Sequence, residues 1–211
     1  MNLLWNGSDS ASSVLILAHG AGADMNHEYM AYFADKLGSN DLAVARFNFR
    51  YTHTGRRAPD KQPVLEDTYR EAVQQVIDER SPRSLFVGGK SMGGRIGSHI
   101  VASGTHADGL VYLGYPLHPP GRPERIRDAH LGDIKRPQLF VEGTRDPFCP
   151  LDTLAEVIGK RRLKADVVVI DDGDHSLKVR MSSGRSTEQA WDEAIGAITT
   201  WIGRISLHSR N

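Results

Sequence analysis

Residues 86–95, FVGGKSMGGR, fit two motifs with different chemistry. Residues 89–91 match the end of a P-loop, in which the lysine and the serine would hold a nucleotide and its Mg²⁺. Residues 89–93 also match G-x-S-x-G, the turn that presents a nucleophilic serine. The first glycine of a P-loop would fall at position 84, which is Ser84, and an apolar strand takes the place of the phosphate-binding loop. The serine turn is therefore the better interpretation.

The residues around this turn have the pattern that a nucleophilic serine requires. A strand must precede the turn and a helix must follow it, because this geometry lifts the hydroxyl above the edge of the sheet. The apolar residues 85–87 precede the turn, and the helical pattern of residues 95–102 follows it. Gly89 and Gly93 leave room for backbones that pass close together.

Short apolar runs alternate with helical patterns along the rest of the chain. The predicted strands are residues 13–20, 42–51, 83–89, 108–116, 136–146 and 165–175. The predicted helices are residues 27–37, 63–80, 91–103 and 151–162, and a last one that begins near Ser186. This alternation predicts one α/β domain over residues 1–211, with a mostly parallel sheet covered on both faces. Residues 117–135, rich in Pro, Arg and His, interrupt it and are interpreted as an excursion over the site rather than a cap domain.

The composition is that of an ordinary globular protein and excludes several classes of function. Of the 211 residues 39% are apolar and 25% are charged, and the 26 basic residues balance the 26 acidic ones. No charge excess therefore attracts nucleic acid or anionic lipid. The single cysteine, Cys149, excludes an intramolecular disulfide and a cysteine-rich zinc site, and is interpreted as a packed thiol. The N-terminus lacks a secretory-signal pattern and no apolar run could span a bilayer, so we expect a soluble cytoplasmic protein.

A nucleophilic serine needs a base and an acid, which should follow strands at the same edge of the sheet. Ser91, Asp146 and His175 occur in the chain order Ser, Asp, His that serine turns of this kind use. Asp146 lies just beyond the apolar strand residues 138–142, and His175 lies in the exit loop that ends the stretch 165–175. Glu142 lies inside its strand, and Asp172 is close to His175 in sequence, so both are weaker candidates for the acid.

The oxyanion hole is expected to use two backbone N–H groups. One belongs to the residue after the nucleophile, Met92, and the other to the first strand–helix loop, at Ala21. His19 in the same loop is interpreted as a brace for the loop rather than as a catalytic group. His27 and Glu28 do not form H-E-x-x-H, because position 31 is Ala31, so the sequence predicts no metal site and no cofactor.

Residues near the ends of the predicted strands are the candidates for substrate contacts. Tyr115 lies at the end of a predicted strand and His118 follows it, so both are expected in a pocket wall, and Lys90 flanks the serine. Several basic residues lie near predicted strand ends or in the excursion, and these are Arg50, Lys90, Arg95, Arg122 and Arg145. They either form structural bonds or, if several face the pocket, favour an acidic or phosphorylated acyl substrate.

Together, the motifs ILAHGAGAD, GGKSMGGR, YLGYPLHPPG, LFVEGTRDPF and DGDHS resemble the α/β-hydrolase superfamily, and in particular its small dienelactone-hydrolase-like branch. They are similar to a group of compact bacterial predicted hydrolases, with eukaryotic relatives that include a testis-expressed protein and a subunit of a histone-acetyltransferase complex. The resemblance implies an α/β-hydrolase fold: a three-layer sandwich without a large cap. It also implies Ser91 as nucleophile, Asp146 as acid and His175 as base.

Two departures from that branch limit what the resemblance implies. Dienelactone hydrolases carry cysteine where this chain has Ser91, so their lactone substrate does not transfer. Few residues precede the first predicted strand, so the opening antiparallel hairpin is largely missing and six or seven strands are expected.

The resulting hypothesis is a serine hydrolase that cleaves an ester-type bond of a small molecule. A thioesterase or a peptidase would use the same triad, and a non-catalytic interaction module would use the same scaffold. The oligomeric state is left open.

Overall fold

The computed structural model describes residues 1–208, which form a seven-stranded sheet with helices on both faces. The strands are β1 (Leu3–Asn6), β2 (Ser13–Ala18), β3 (Leu42–Phe47), β4 (Ser84–Lys90), β5 (Gly109–Leu113), β6 (Gln138–Gly143) and β7 (Ala165–Ile170). The helices are α1 (Glu28–Leu37), α2 (Gln62–Arg80), α3 (Met92–Ala102), α4 (Leu151–Arg161) and α5 (Thr187–His208).

The order of the strands across the sheet decides where a site can form. The order is β1-β3-β2-β4-β5-β6-β7, and every neighbouring pair is parallel except β1 with β3. After β2 the chain forms β3 on one side of it, and then crosses over to form β4 on the other side. The carboxyl ends of β2 and β4 therefore lie side by side at the switch point, where open α/β sheets bind their ligands.

Two apolar layers confirm the predicted three-layer sandwich. On one face, buried side chains of α2, α3 and α4 pack on the sheet, among them Tyr69, Ile96 and Leu154. On the other face, α1 and α5 pack together through an aromatic group that includes Phe33 and Trp191. Strands buried on both faces explain why β2, β3 and β4 are continuous apolar runs in the sequence.

The observed bounds differ from the predicted ones in all six predicted strands, and a seventh strand, β1, was not predicted. β3 ends at Phe47 rather than residue 51, because the chain turns there and residues 50–54 form a 3₁₀ helix. The side-chain oxygen of Asn48 accepts a hydrogen bond from Met25 N–H at 2.8 Å, which holds this turn against the loop after β2. β1 has no predicted counterpart: its four residues pair antiparallel with residues 44–47 and complete the seventh strand.

The segment 117–135 forms no cap domain. Its regular structure is a single 3₁₀ turn at residues 129–133. Leu117 N–H bonds Phe148 O at 2.9 Å, and Asp128 forms an ion pair with Arg161 at 2.8 Å, so the segment is tied to the β6–α4 loop and to α4. His118 and Arg127 of this segment border the cavity next to Ser91.

No helix within residues 1–208 combines the length and the apolar character needed to cross a membrane.

Candidate active site

Ser91 is the single residue between the end of β4 and the start of α3, and it has a backbone conformation that few residues adopt. Its φ is +51° and its ψ is −114°. A positive φ is uncommon for residues other than glycine and indicates a turn held by its surroundings. A Cβ on Gly93 would lie 2.3 Å from Ala18 O, and one on Gly89 would lie 2.5 Å from the same atom. Only glycine fits at either position, so the turn depends on both glycines.

The three predicted triad residues form a continuous chain of hydrogen bonds. His175 Nε2 lies 2.8 Å from Ser91 Oγ, and His175 Nδ1 lies 2.7 Å from Asp146 Oδ2. With Nδ1 protonated and donating to the carboxylate, Nε2 can accept the serine proton. The Asp146 side chain is fully buried, whereas the imidazole of His175 is 22% exposed. The base thus faces the solvent side while its orienting acid is shielded from water.

Local hydrogen bonds fix the acid and its loop. The second carboxylate oxygen of Asp146, Oδ1, accepts the N–H of Phe148 at 2.8 Å. The ring of Phe148 then packs edge-on against the imidazole of His175, with ring centroids 4.7 Å apart. Sequence reasoning missed Phe148, and its available signal was the Asp-Pro-Phe run that brings an aromatic ring two residues after the acid.

The loop that carries His175 is anchored on both sides. Asp174 Oδ1 accepts the N–H groups of Ser176 and Lys178 at 2.8 and 3.0 Å. Trp191 Nε1–H of α5 donates to Ser176 O at 2.9 Å. These contacts fix the backbone of the loop and thereby the position of the His175 imidazole.

Lys90 is a buried cation beneath the site. Its Nζ donates to His175 O at 2.5 Å, and its side chain also contributes to a cavity wall. Burial lowers the pKa of Lys90 to about 8, and the nearby Asp146, Glu142 and Asp174 partly offset that effect. The predicted Lys90 therefore lies in the site, bound to the backbone of the base.

The two residues predicted to supply the oxyanion donors line the same cavity as Ser91. Met92 is the first residue of α3, and Ala21 follows β2 in the neighbouring loop. Neither N–H donates a hydrogen bond to any residue within 1–208. Both residues line the cavity that contains Ser91. These free donors are therefore available to a ligand.

His19 connects the loop after β2 to the loop after β3. Its Nδ1–H donates to Gly20 O at 2.8 Å, and its Nε2 accepts the N–H of Phe49 at 3.3 Å. Burial lowers the pKa of His19, which favours this neutral form. The ring is fully buried and acts as the predicted brace.

The prediction for Tyr115 is wrong, because its side chain is fully buried and borders neither cavity at Ser91. The chain turns at Gly114, which has a φ of +65°, and Tyr115 N–H bonds Glu142 Oε1 at 2.7 Å. Its ring consequently packs in the core against Tyr112 and Phe140. His118, in contrast, borders the first cavity.

The alternative acids are occupied elsewhere. Asp172 accepts hydrogen bonds from the backbone and side chain of Arg180 and forms an ion pair with Arg145. Glu142 is fully buried behind the site, and burial together with the charge of Asp146 raises its pKa well above the ordinary value. Cys149 is a buried thiol whose pKa is raised by burial, which disfavours a nucleophilic thiolate.

Two cavities of about 260 and 370 Å³ meet at Ser91. Both are bordered by Ala21, Ser91, Phe148 and His175. The first extends toward α3 and the segment 117–135, where Met92, Arg95, His118 and Arg127 line it. The second extends toward α1, where Tyr29, Met30 and Lys90 line it. A bond held at Ser91 would thus have room for a group on either side.

Within the described residues, no group of three or more His, Cys, Asp or Glu side chains is arranged to hold a metal ion.

The sheet order and the strand–serine–helix turn define the class as an α/β hydrolase. The chain belongs to the alpha/beta hydrolase domain family, whose model matches residues 11–203.

Solved structures share the fold at low sequence identity. A serine hydrolase without a lid from Xanthomonas campestris matches with a TM-score of 0.74 and 18% identity, over 96% of this chain and 88% of that one. A dienelactone hydrolase from Anabaena variabilis matches with a TM-score of 0.65 and 18% identity, over 98% and 91% of the two chains. The esterase domain of a Rhodothermus marinus protein matches with a TM-score of 0.68 and 16% identity, over 96% and 91%. At these identities the likeness describes the fold.

Proposed function

We propose that this protein is a serine hydrolase that cleaves an ester bond of a small molecule through an acyl-enzyme. The observation that carries the proposal is the hydrogen-bonded chain Ser91–His175–Asp146, located where two cavities meet. The esterase and dienelactone hydrolase among the structural neighbours support the same class of reaction.

In the first half of the reaction Ser91 Oγ attacks the ester carbonyl while His175 Nε2 takes the hydroxyl proton. The carbonyl π pair moves onto oxygen and gives a tetrahedral oxyanion. Collapse of this intermediate breaks the bond to the alkoxy group, which leaves as the alcohol with the proton from Nε2. Asp146 keeps the imidazole in the required tautomer and stabilises its charged form.

In the second half a water molecule loses a proton to His175 Nε2 and attacks the acyl-enzyme carbonyl. The second tetrahedral intermediate collapses, Ser91 recovers its proton from Nε2, and the carboxylic acid is released. These steps require neither a metal nor an organic cofactor.

The N–H groups of Ala21 and Met92 are proposed to hold the oxyanion of both intermediates. Their freedom from other hydrogen bonds within residues 1–208 supports this role. A preorganised donor of this kind lowers the barrier by about 3 kcal/mol. Because the donors are backbone groups, side-chain substitution at either position leaves them in place.

The test is hydrolysis of 4-nitrophenyl butyrate, the matching thioester and a 4-nitroanilide by the parent protein and by Ser91→Ala. We expect the ester to be the best substrate and Ser91→Ala to lose at least about a thousandfold in kcat. Ser103→Ala, at the far end of α3, is the matched control and should retain activity. A preference for the thioester or the anilide would replace the ester assignment. Activity that survives in Ser91→Ala would contradict the mechanism, and an inactive folded parent would favour an interaction module.

A further inference from the structure

The first cavity at Ser91 is lined by two arginines that belong to different parts of the fold. Arg95 lies one turn into α3, and Arg127 lies in the segment 117–135. Both line the same cavity as Ser91 and His175. Neither forms an ion pair with a carboxylate of residues 1–208.

Most of the hydrogen-bonding capacity of Arg95 is unused. One of its terminal nitrogens, Nη1, lies 3.2 Å from Gln62 Oε1 and 3.3 Å from His99 Nε2. Its other guanidinium nitrogens have no hydrogen bond to a described residue. Burial, and next the charge of Arg127, lower the pKa of Arg95. A half-buried cation near another cation is a position that an anion would stabilise.

Arg127 is held by its backbone, and its side chain has no hydrogen bond within the described part of the chain. Its N–H donates to Leu117 O at 2.7 Å, and the next residue, Asp128, is tied to Arg161. The backbone at Arg127 is therefore anchored beside the cavity that this residue lines.

Asp60 and His118 also border the cavity, together with Gln62, the hydrogen-bond partner of Arg95. Asp60 is the only carboxylate along its wall among the described residues, and it forms an ion pair with Arg56 at 2.7 Å. Its charge is thus compensated from outside the cavity. His118 donates from Nδ1 to Pro119 O, and its enclosed Nε2 has no partner among the described residues. The wall therefore carries two arginines without an ion-pair partner among the described residues, and a carboxylate whose charge is paired with Arg56.

We infer that this cavity binds an anionic group of the substrate through Arg95 and Arg127, so that the protein prefers esters that carry a carboxylate or a phosphate. The inference rests on the proposed function, because it assigns the substrate class of the same site. Guanidinium groups present planar pairs of donors that match the oxygens of such anions. An anion in this cavity would lie beside the ester bond held at Ser91.

The experiment compares charged and neutral esters in pairs. The first pair places the charge on the acyl half: mono-4-nitrophenyl glutarate and 4-nitrophenyl hexanoate. The second pair places it on the alcohol half: 4-carboxyphenyl butyrate and its methyl ester. The ratio of kcat/KM within each pair is measured for the parent, Arg95→Gln, Arg127→Gln and the double variant.

At least one pair should show a charged-to-neutral ratio that falls about tenfold or more in each single variant, because a hydrogen bond to a charged group is lost. Arg95→Lys should keep part of the preference. The ratio should not change in Arg83→Gln, a control at the opposite end of β4 that borders neither cavity.

Rates on the neutral esters separate the two proposals. If the neutral esters are hydrolysed and neither ratio changes in the arginine variants, the anion site is overturned while the serine hydrolase stands. If no ester is hydrolysed and Ser91 fails to react with a fluorophosphonate, the proposed function itself fails.

Discussion

At the scale of single residues, the candidate site is defined by one strained serine and the groups that face it. Ser91 has a positive φ and lies 2.8 Å from His175 Nε2. The strained backbone is held by close approaches of Gly89 and Gly93 to the neighbouring strand. The hydroxyl therefore points to the base without any movement of the backbone.

Lys90→Met tests a positioning role for the buried ammonium. Lys90 Nζ holds His175 O, so we expect the variant to lose about tenfold in kcat with a much smaller change in KM. Burial lowers the pKa of Lys90 to about 8, and a neutral amine donates to His175 O more weakly than an ammonium, so the parent should lose part of this activity as the pH rises through 8. That alkaline loss should be absent in Lys90→Met. A variant with an unchanged pH profile and unchanged kcat would show that Lys90 serves packing alone.

The residues of the triad could be predicted because their order along the chain, and their positions near the ends of apolar runs, are visible in the sequence. Tyr115 could not, because its direction is set by the turn at Gly114 and by a bond to Glu142, which lies on another strand. Arg127 was missed for a similar reason. Its approach to α3 depends on the path of an irregular segment, which no periodic pattern describes.

At the scale of elements, β2, β4 and α3 bring their backbones together to form the serine turn. β4 pairs with β2 along its length, and α3 begins directly after Ser91. The sequence signals for these elements were strong because buried parallel strands are continuous apolar runs. β1 gave no such signal, since its four residues are only partly buried and gain their structure by pairing with β3.

Gly93→Ala tests whether the close contact between α3 and β2 holds the turn. The added Cβ would meet Ala18 O at 2.3 Å, so we expect a loss of about 1–3 kcal/mol in the free energy of unfolding and a large loss of esterase activity. Urea unfolding and ester hydrolysis measure the two effects. Gly196→Ala in α5 has open space around the new Cβ and should be neutral or slightly stabilising. Equal behaviour of the two variants would contradict the account.

At the scale of the whole molecule, a seven-stranded sheet is enclosed by helices, and the edge that carries the site is left without a cap domain. The segment 117–135 is joined to the helical layer by a stacked pair of histidines. His130 lies 3.6 Å from the ring of His99 on α3, measured between centroids, and its Nε2 lies 2.8 Å from Ser98 Oγ. This pair connects the border of the first cavity to the body of the protein.

The histidine pair predicts a loss of stability in mild acid. Burial is the main cause that lowers the pKa of His99 to about 4 and that of His130 to about 3, from 6.5. Above pH 6.5 both rings are neutral in the folded and unfolded chains. As the pH falls from 6.5 toward 4, the unfolded chain takes up protons that the folded chain does not, so the free energy of unfolding decreases. Below the folded pKa values the decrease from this pair ends.

The measurement is urea unfolding between pH 7.5 and 4.5 for the parent and for the double variant His99→Gln/His130→Gln. Each histidine contributes less than about 1.4 kcal/mol per pH unit, because both rings are partly exposed. The double variant should show a shallower dependence on pH, and His53→Gln, at an exposed position, should retain the parent slope. A double variant as acid-sensitive as the parent would rule out the pair as the source.

Covalent labelling with a fluorophosphonate, followed by peptide mass spectrometry, shows whether Ser91 is an activated nucleophile. We expect one probe adduct, on Ser91 of the parent. We also expect no adduct in Ser91→Ala and labelling slowed by at least about a hundredfold in folded His175→Ala. A folded parent that stays unlabelled, or a label that appears on another residue, would contradict the proposed role of Ser91.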